Sequence, residues 1–559
     1  MDSWLLIDCA LRTTAILVEA TDTGHRLVAR GEARTTLDPE GDVTLGVYAA
    51  VRQLEEGSGR VLLKLEDAPG IISPRNAQGN GVDQVLVTSS VGGGLQMMVA
   101  GLVRILTAES AERAALGAGA NVLDVIAIDD GRMPHERIER MRELKPDIFL
   151  FGGGVDNGNQ SDVLEFAREI AQADLPDMPI VYAGNVADRQ PVTDLLGGKY
   201  ELHLVNNLRP VLEDEVLEPT REKIHELFMR HVVSQAPGFA KLGSWASRSI
   251  MPSTGAVSKL METVAARSQQ NVLGVIVGDS TTDVFSVFGG RFTRTVSADL
   301  GLGYSIANVA VKAGKTQLLR WLPFSPGKDE LMDHLRNKML KPAGQPDNDT
   351  DLAIQQAAAR EAMRMALAQH KRRATRLRGM HQERDIGSIF EKFADTLVDM
   401  GRLHLIIASA SVFAWADDQA NARVLLDALR PEGITHLAID QFMSSPHLGI
   451  LTTVDAEVGH QVFMQESLRH LGVAICPIGR AEAGTLCLSI SITTLGQVAV
   501  THQINAGSLT FLTVAEGSEV VIQPHSGIDV GAGRGHRKAL VMGTTTCGLI
   551  IDTREKVQA

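Results

Sequence analysis

Trp4-Leu5-Leu6-Ile7-Asp8-Cys9-Ala10-Leu11-Arg12-Thr13-Thr14-Ala15-Ile16-Leu17-Val18-Glu19-Ala20 reads as a strand, a tight polar loop from Asp8 to Thr14, and a second strand. Far downstream the chain repeats the device. Val272–Val277 reads as a strand, Gly278-Asp279-Ser280-Thr281-Thr282 as a turn, and Asp283–Phe288 as the returning strand. Apolar, β-branched runs around polar turns are the signature of hairpins. A hairpin of the form D-x-G-[ST]-x-T can wrap a triphosphate: glycine lets backbone N–H groups come close, hydroxyls donate to phosphate oxygens, and the aspartate holds Mg²⁺. The candidate nucleotide residues are therefore Asp8, Thr13 and Thr14 in the first hairpin and Gly278, Thr281, Thr282 and Asp283 in the second.

Outward from the first hairpin, residues 82–207 alternate strand and helix. Strands are expected at Val85–Val87, Val122–Ile128, Asp147–Phe151 and Ile180–Ala183, with helices at Leu95–Leu106 and Pro134–Leu144. Glycine follows several crossings, the pattern of a doubly wound parallel sheet. Gly152, Gly153, Gly154, Asp156 and Asn157 follow one strand end, where open α/β sheets bind ligands, and form a candidate ligand or partner loop. Helices are expected at Thr220–Val232 and Thr254–Ala266, and a long one at Asp349–Met380, which has no internal Gly or Pro. Leu403–Ile407 reads as a strand leading into a small-residue turn, Ala408-Ser409-Ala410-Ser411. Beyond about His460 the chain turns strand-rich, with Leu486, Leu488, Ile490 and Ile492 in period-two alternation. The expected organisation is a first lobe over 1–270, a second over 271–455 and a β-rich domain over 456–559.

Composition narrows the class. Against 54 Lys and Arg stand 67 Asp and Glu, a net charge of −13, which speaks against general nucleic-acid binding. Aromatics at 4% are poor material for base stacking. Cys9, Cys476, Cys487 and Cys547 form no C-x-x-C pair, so neither a disulfide framework nor a structural zinc is expected, and no metal site is assigned. The N-terminus lacks a basic flank for a signal peptide, and the charge-free stretches Gln84–Val103 and Ala483–Ala515 are interrupted by polar residues and glycine, so a cytoplasmic chain without a membrane span is expected. Gly314-Lys315-Thr316 has the tail of a P-loop, but Val309 replaces its first glycine. No nucleophile elbow or H-E-x-x-H occurs, and no catalytic residue is assigned. The basic run Lys371-Arg372-Arg373, continued by Arg376 and Arg378, reads as a solvated helix face, with docking to an acidic partner as the alternative.

Ordered segments resemble the MutL proteins associated with glutamate mutase, a family distinct from the mismatch-repair protein of that name. Asp42-Val43-Thr44-Leu45-Gly46 is similar to its D-V-T-x-G segment. Ser89-Ser90-Val91-Gly92-Gly93-Gly94-Leu95-Gln96-Met97 resembles its S-S-A-G-G-L-x-M stretch, and Gly153-Gly154-Val155-Asp156-Asn157-Gly158-Asn159 its G-G-T-D-G-G-N. Ala183-Gly184-Asn185, Met251-Pro252, Thr281-Thr282-Asp283-Val284 and Asp299-Leu300-Gly301 follow in order, so that the likeness covers about Trp4 to Leu451. The resemblance implies the actin-like ATPase fold (ASKHA): two lobes, here with a doubly wound α/β segment and a C-terminal β-rich domain. It further implies an accessory, reactivase- or chaperone-like factor for an adenosylcobalamin-dependent mutase, with a mutase subunit as protein partner.

The nucleotide pattern is degenerate. Ala10, Leu11 and Arg12 replace the expected Gly, Ser and Thr; Ile276 stands where a metal-binding Asp is expected and Asp279 where a glycine is expected. The adenosine turn reads Ala408-Ser409-Ala410-Ser411 in place of G-T-G-G. A carboxylate at 279 would repel phosphate, and Ile276 offers Mg²⁺ no oxygen. A pseudo-ATPase is expected, with Arg12 pairing with Asp279. Two alternatives stay open: an active ATPase using ATP and Mg²⁺ to drive cofactor exchange, and a scaffold that binds protein through its β-rich tail.

Overall fold

The computed structural model describes residues 2–36, 42–64, 70–90, 95–158, 160–231, 237–342, 344–375, 396–495, 497–525 and 527–554. By contacts the chain resolves into two compact units. The first holds Met1–Leu260 and Ser445–Glu466; the second holds Met261–Thr375, Asp395–Ser444 and Ser467–Ala559.

In the first unit Ser3–Cys9, Arg12–Thr21 and Gly24–Arg34 form an antiparallel meander. Gln84–Ser89 joins Ser3–Cys9 in parallel, and Met251–Pro252 joins Gln84–Ser89 in parallel. In chain order the sheet therefore runs 3-2-1-4-5. All seven residues of Ser3–Cys9 are buried, as expected of a central strand covered on both faces. Helix Val43–Ser58 covers one face through Val43, Val47, Ala50, Val51 and Leu54. Asp42 caps its N-terminus by accepting the Thr44 N–H at 2.7 Å. A methyl group at Gly31 would sit 1.9 Å from the Ala50 carbonyl oxygen, and one at Gly46 2.7 Å from that of Arg34. The D-V-T-x-G segment is thus a helix start pressed onto a strand, and glycine is what lets the backbones meet.

A second sheet of the first unit is wholly parallel: Glu201–Leu204, Pro179–Tyr182, Ile148–Gly152, Gln96–Gly101 and Asn121–Ala127, in that spatial order. In chain order this is 2-1-3-4-5, a doubly wound order. Two sequence expectations are corrected here. The strand around Val85–Val87 lies in the other sheet, and the expected helix Leu95–Leu106 is the strand Gln96–Gly101 followed by a short helical turn, Arg104–Ala108. Met97, Met98 and Ala100 favour a helix intrinsically, yet they are buried between two parallel neighbours, and packing overrides propensity.

The second unit repeats the 3-2-1-4-5 order. Arg291–Ala298, Thr281–Phe288 and Val272–Val277 form the meander, and Leu405–Ala410 and Gly433–Asp440 extend it in parallel. This shared order in both units is the actin-like arrangement. Leu468–Cys476, Leu549–Asp552 and Leu509–Leu512 then widen the sheet to eight strands. The C-terminal β-rich part is completed by a four-stranded sheet of Val500–Asn505, Leu486–Thr493, Glu519–Pro524 and Lys538–Val541. A register shift between Leu486 and Leu488 turns Cys487 inward together with Leu488 and Ile490, which breaks the expected alternation. The strand expected to end at Ile407 continues through Ala408, Ser409 and Ala410, and the turn begins at Ser411. These small side chains are buried, so they suit a central strand. The long helix spans Asp349–Arg373 and ends short of the expected Met380: Ala374 is its C-cap and Thr375 bridges to Thr396, while residues 376–380, with Arg376 and Arg378, lie outside the described residues. Among the described residues no helix is long and apolar enough to cross a membrane.

Candidate functional site

In the first hairpin the expected loop shrinks to Ala10 and Leu11, because Cys9 pairs with Thr13 and Asp8 with Thr14. Thr88 pairs with Asp8 from the next strand and Glu32 with Thr14 from the other side. Glu32, Thr14, Asp8 and Thr88 therefore share one face, since directly opposed residues project together. Asp8 is buried, and its Oδ1 accepts from Thr88 Oγ1 at 2.7 Å and from Ser253 Oγ at 2.6 Å. Ser253 opens the helix Ser253–Ser268. Thr14 Oγ1 lies 2.9 Å from His447 Nε2, on helix Ser445–Thr452. Thr13, fully buried, projects to the opposite face and meets Thr35 Oγ1 at 2.7 Å. Arg12 is ion-paired with Glu32, which also takes Arg30 at 2.6 Å. Burial first, and the Asp8 charge second, push the Cys9 thiol well above its usual range, with Thr13 offsetting part of the rise.

In the second hairpin Asp283 pairs with Ile276, which pairs in turn with Ser409. Asp283 Oδ1 accepts from Arg294 Nε at 2.9 Å and Nη2 at 2.6 Å. The Arg294 side chain is 0% exposed and that of Asp283 8%. Thr281 Oγ1 donates to Asp283 Oδ2 at 3.2 Å, and Thr282 Oγ1 to the Leu300 carbonyl at 2.6 Å. The Gly278 N–H closes the turn onto the Thr281 carbonyl at 2.9 Å. The segment Asp299-Leu300-Gly301 packs against this turn: Leu302 N–H reaches the Gly278 carbonyl and Gly303 N–H the Asp279 carbonyl, both at 2.9 Å. A methyl group at Gly301 would meet the Asp279 carbonyl oxygen at 2.3 Å, which gives this glycine its physical role. Burial raises the Asp279 carboxyl, and the Lys338 charge offsets part of that rise.

The loop after Ile148–Gly152 stands at the carboxyl end of the parallel sheet, where Gly101 and Gly152 are in register. Gly154 has φ 73° and Asn157 φ 58°. Asp156 Oδ1 accepts from the Val186 N–H and from Asn207 Nδ2, each at 2.9 Å. Asn207 Nδ2 also reaches the Gly154 carbonyl at 3.1 Å, and Asn185 Oδ1 receives the Asn157 N–H at 3.1 Å. A methyl group at Gly153 would lie 2.8 Å from the Tyr182 ring, and one at Gly184 2.4 Å from Gly153 N. Asp188, fully buried behind this loop, has its carboxyl raised by burial, with Asn185 offsetting part of the rise. Gly152, Gly153, Gly154, Asp156 and Asn157 are thus brought together as one tied loop.

Sequence reasoning missed Ser253, His447 and Arg294, which reach the candidate residues from distant or unremarkable positions. Asn185 was flagged only inside a family-like segment, and Asn207 not at all. A cavity of about 420 Å³ in the second unit, with Trp321, Met400, Leu426 and Pro431 in its wall, is lined by none of the candidate residues. Among the described residues no cluster of His, Cys, Asp and Glu is suited to a metal ion, and the four cysteines are buried without disulfides.

The "Protein MutL" of Clostridium tetanomorphum is 29% identical over 396 residues, which is 66% of this chain and 79% of that protein. Among solved structures, a nucleotide-free acetone carboxylase aligns over 89% of this chain and 80% of its own, at 12% identity and a TM-score of 0.31. Component A of the Acidaminococcus fermentans (R)-2-hydroxyglutaryl-CoA dehydratase aligns over 82% and 100%, at 8% identity and 0.29. A glycerol dehydratase reactivase aligns over 81% and 100%, at 9% identity and 0.27. Likenesses this loose carry nothing about activity. The MutL protein family model, by contrast, matches residues 4–467, most of the chain, and the chain belongs to that family, the one associated with glutamate mutase.

Proposed function

We propose that this chain is an accessory factor, acting as a reactivase or chaperone for an adenosylcobalamin-dependent mutase in the cytoplasm, and that its hairpins no longer fit Mg-ATP. Family membership supports the accessory role. The observation that carries the loss of nucleotide fit is the engagement of each hairpin's polar groups within its own unit. Asp283 is bound by buried Arg294, Asp8 accepts two neutral hydroxyls, and Thr14 is held by His447. Freeing Asp283 for Mg²⁺ would break its buried pair with Arg294, which costs about 3–5 kcal/mol. Ile276 brings no oxygen to the metal, and Asp279 would put a carboxylate beside phosphate. In this reading residues 1–270 and 271–455 act as a frame, and the β-rich region 456–559 stays available for protein contacts.

Two measurements test the proposal. Titration calorimetry with Mg-ATP should show no binding tighter than about millimolar, a level worth about 4 kcal/mol. Sub-micromolar binding with turnover would instead establish a working ATPase. A tagged chain should co-purify with a subunit of a cobalamin-dependent mutase when the two are co-expressed. Failure there, with ATP still unbound, would favour the scaffold reading.

A further inference from the structure

The chain as a whole carries a net charge of −13, yet Asp529-Val530-Gly531-Ala532-Gly533-Arg534-Gly535-His536-Arg537-Lys538 ends with three cations and a histidine in five residues. The one acid in this stretch is turned inward: Asp529 Oδ1 accepts the N–H groups of Gly531, Ala532 and Gly533 at 2.7, 3.0 and 2.9 Å. Gly531, Gly533 and Gly535 have φ of 87°, 97° and 73°, a region that L side chains enter only with strain. The Gly535 N–H closes back on the Ile528 carbonyl at 2.8 Å, and that of His536 on Gly533 at 3.1 Å. The loop's path is therefore specified by its own backbone, and Lys538 enters the four-stranded sheet opposite Ile522.

Arg534, His536 and Arg537 are exposed and Lys538 is half-buried. Among the described residues none of Arg534, Arg537 and Lys538 takes part in an ion pair. Elsewhere arginines are commonly paired, as Arg113 is with Glu215, Arg137 with Glu169 and Arg360 with Asp427. Lys538 acts on another potential cation, His404, whose pKa is lowered first by burial and then by Lys538. A basic loop whose backbone is tied by hydrogen bonds and whose cations are unpaired, in an acidic protein, is arranged to meet an external anion. The cations are spread along an exposed loop, which suits an extended polyanion over a small one. Residues 527–541 contain no Phe, Tyr or Trp on which a base could stack.

We propose that the loop Asp529–Lys538 is a docking surface for an acidic protein segment. The proposal stands apart from any reading of the hairpins. The full chain, titrated against a fluorescein-labelled oligo-glutamate peptide and followed by anisotropy, should bind saturably and more weakly as salt rises. Reversal to R534E/R537E/K538E should weaken binding by more than about tenfold. The neutral pair R534Q/R537Q, which introduces no new charge, should weaken it in the same direction with an unchanged unfolding midpoint. Reversal of Arg372 and Arg373 on the long helix should leave it unaltered. The proposal falls if both loop variants bind the peptide as well as the parent chain. It falls equally if the Arg372 and Arg373 reversal abolishes binding, or if an oligonucleotide of equal length binds more tightly than the peptide.

Discussion

Removing Asp283 should unfold the second unit far more readily than it should alter any ligand. The Arg294 guanidinium is fully buried and gives Nε and Nη2 to one Asp283 oxygen at 2.9 and 2.6 Å. In Asp283→Ala the cation stays in a low-dielectric site and loses the carboxylate that accepts from its Nε and Nη2. Breaking a buried pair this way costs about 3–5 kcal/mol, whereas an exposed pair contributes about 1 kcal/mol or less. At about 1.4 kcal/mol per tenfold, the unfolding constant should rise at least a hundredfold. The readout is urea unfolding by tryptophan fluorescence in a W4F/W245F background, so that only Trp321 and Trp415 of the second unit report. The double variant D283L/R294M removes both charges and their desolvation cost together, and should recover most of the loss. A loss below about 1 kcal/mol for Asp283→Ala, or a double variant no better than the single, would refute the structural role and return Asp283 to the list of available metal ligands.

Three further outcomes are expected. His370 is buried between Thr295 Oγ1 at 2.8 Å and Ser286 Oγ at 2.7 Å, and burial, with Lys371 adding to it, pushes its pKa down to about 3 from 6.5. The unfolded chain then binds the extra proton between those values, so stability is full above about pH 6.5 and is lost as pH falls toward 3, at up to about 1.4 kcal/mol per pH unit from this group. His370→Gln should flatten that slope, as read from urea midpoints across the range. Gly31→Ala would force the helix Val43–Ser58 off the Ala50 contact and should lower stability by about 1–3 kcal/mol in a denaturation curve of the first unit. Thr14→Val removes the hydroxyl from His447 and should cost about 1 kcal/mol, with no change in Mg-ATP titration heats.

The two hairpins, the long helix and the strand-rich tail could be read from the chain because each depends on local periodicity and turn chemistry. Helix Asp349–Arg373 starts at the expected residue, where Asn348 accepts the Asp351 N–H at 3.0 Å. The glycines of Asp299-Leu300-Gly301 and Asp42-Val43-Thr44-Leu45-Gly46 stood out as family-like letters, but only the folded backbone shows which carbonyl each must clear. Local signals failed where burial by distant strands overrides propensity. Gln96–Gly101 is a strand because two parallel neighbours cover it, and Ala408–Ala410 because Val275–Val277 lie alongside.

From the amino-acid sequence alone came the repeated strand–turn–strand, the acidic balance and the degenerate letters at 10–12, 276 and 279, since these are properties of residues and their spacing. Only the tertiary structure decided what the surviving polar letters do. Asp8 meets Ser253, Thr14 meets His447, and Asp283 meets Arg294 of the neighbouring strand. A buried charge or hydroxyl must find a partner wherever the fold brings one, and sequence spacing holds no record of that encounter.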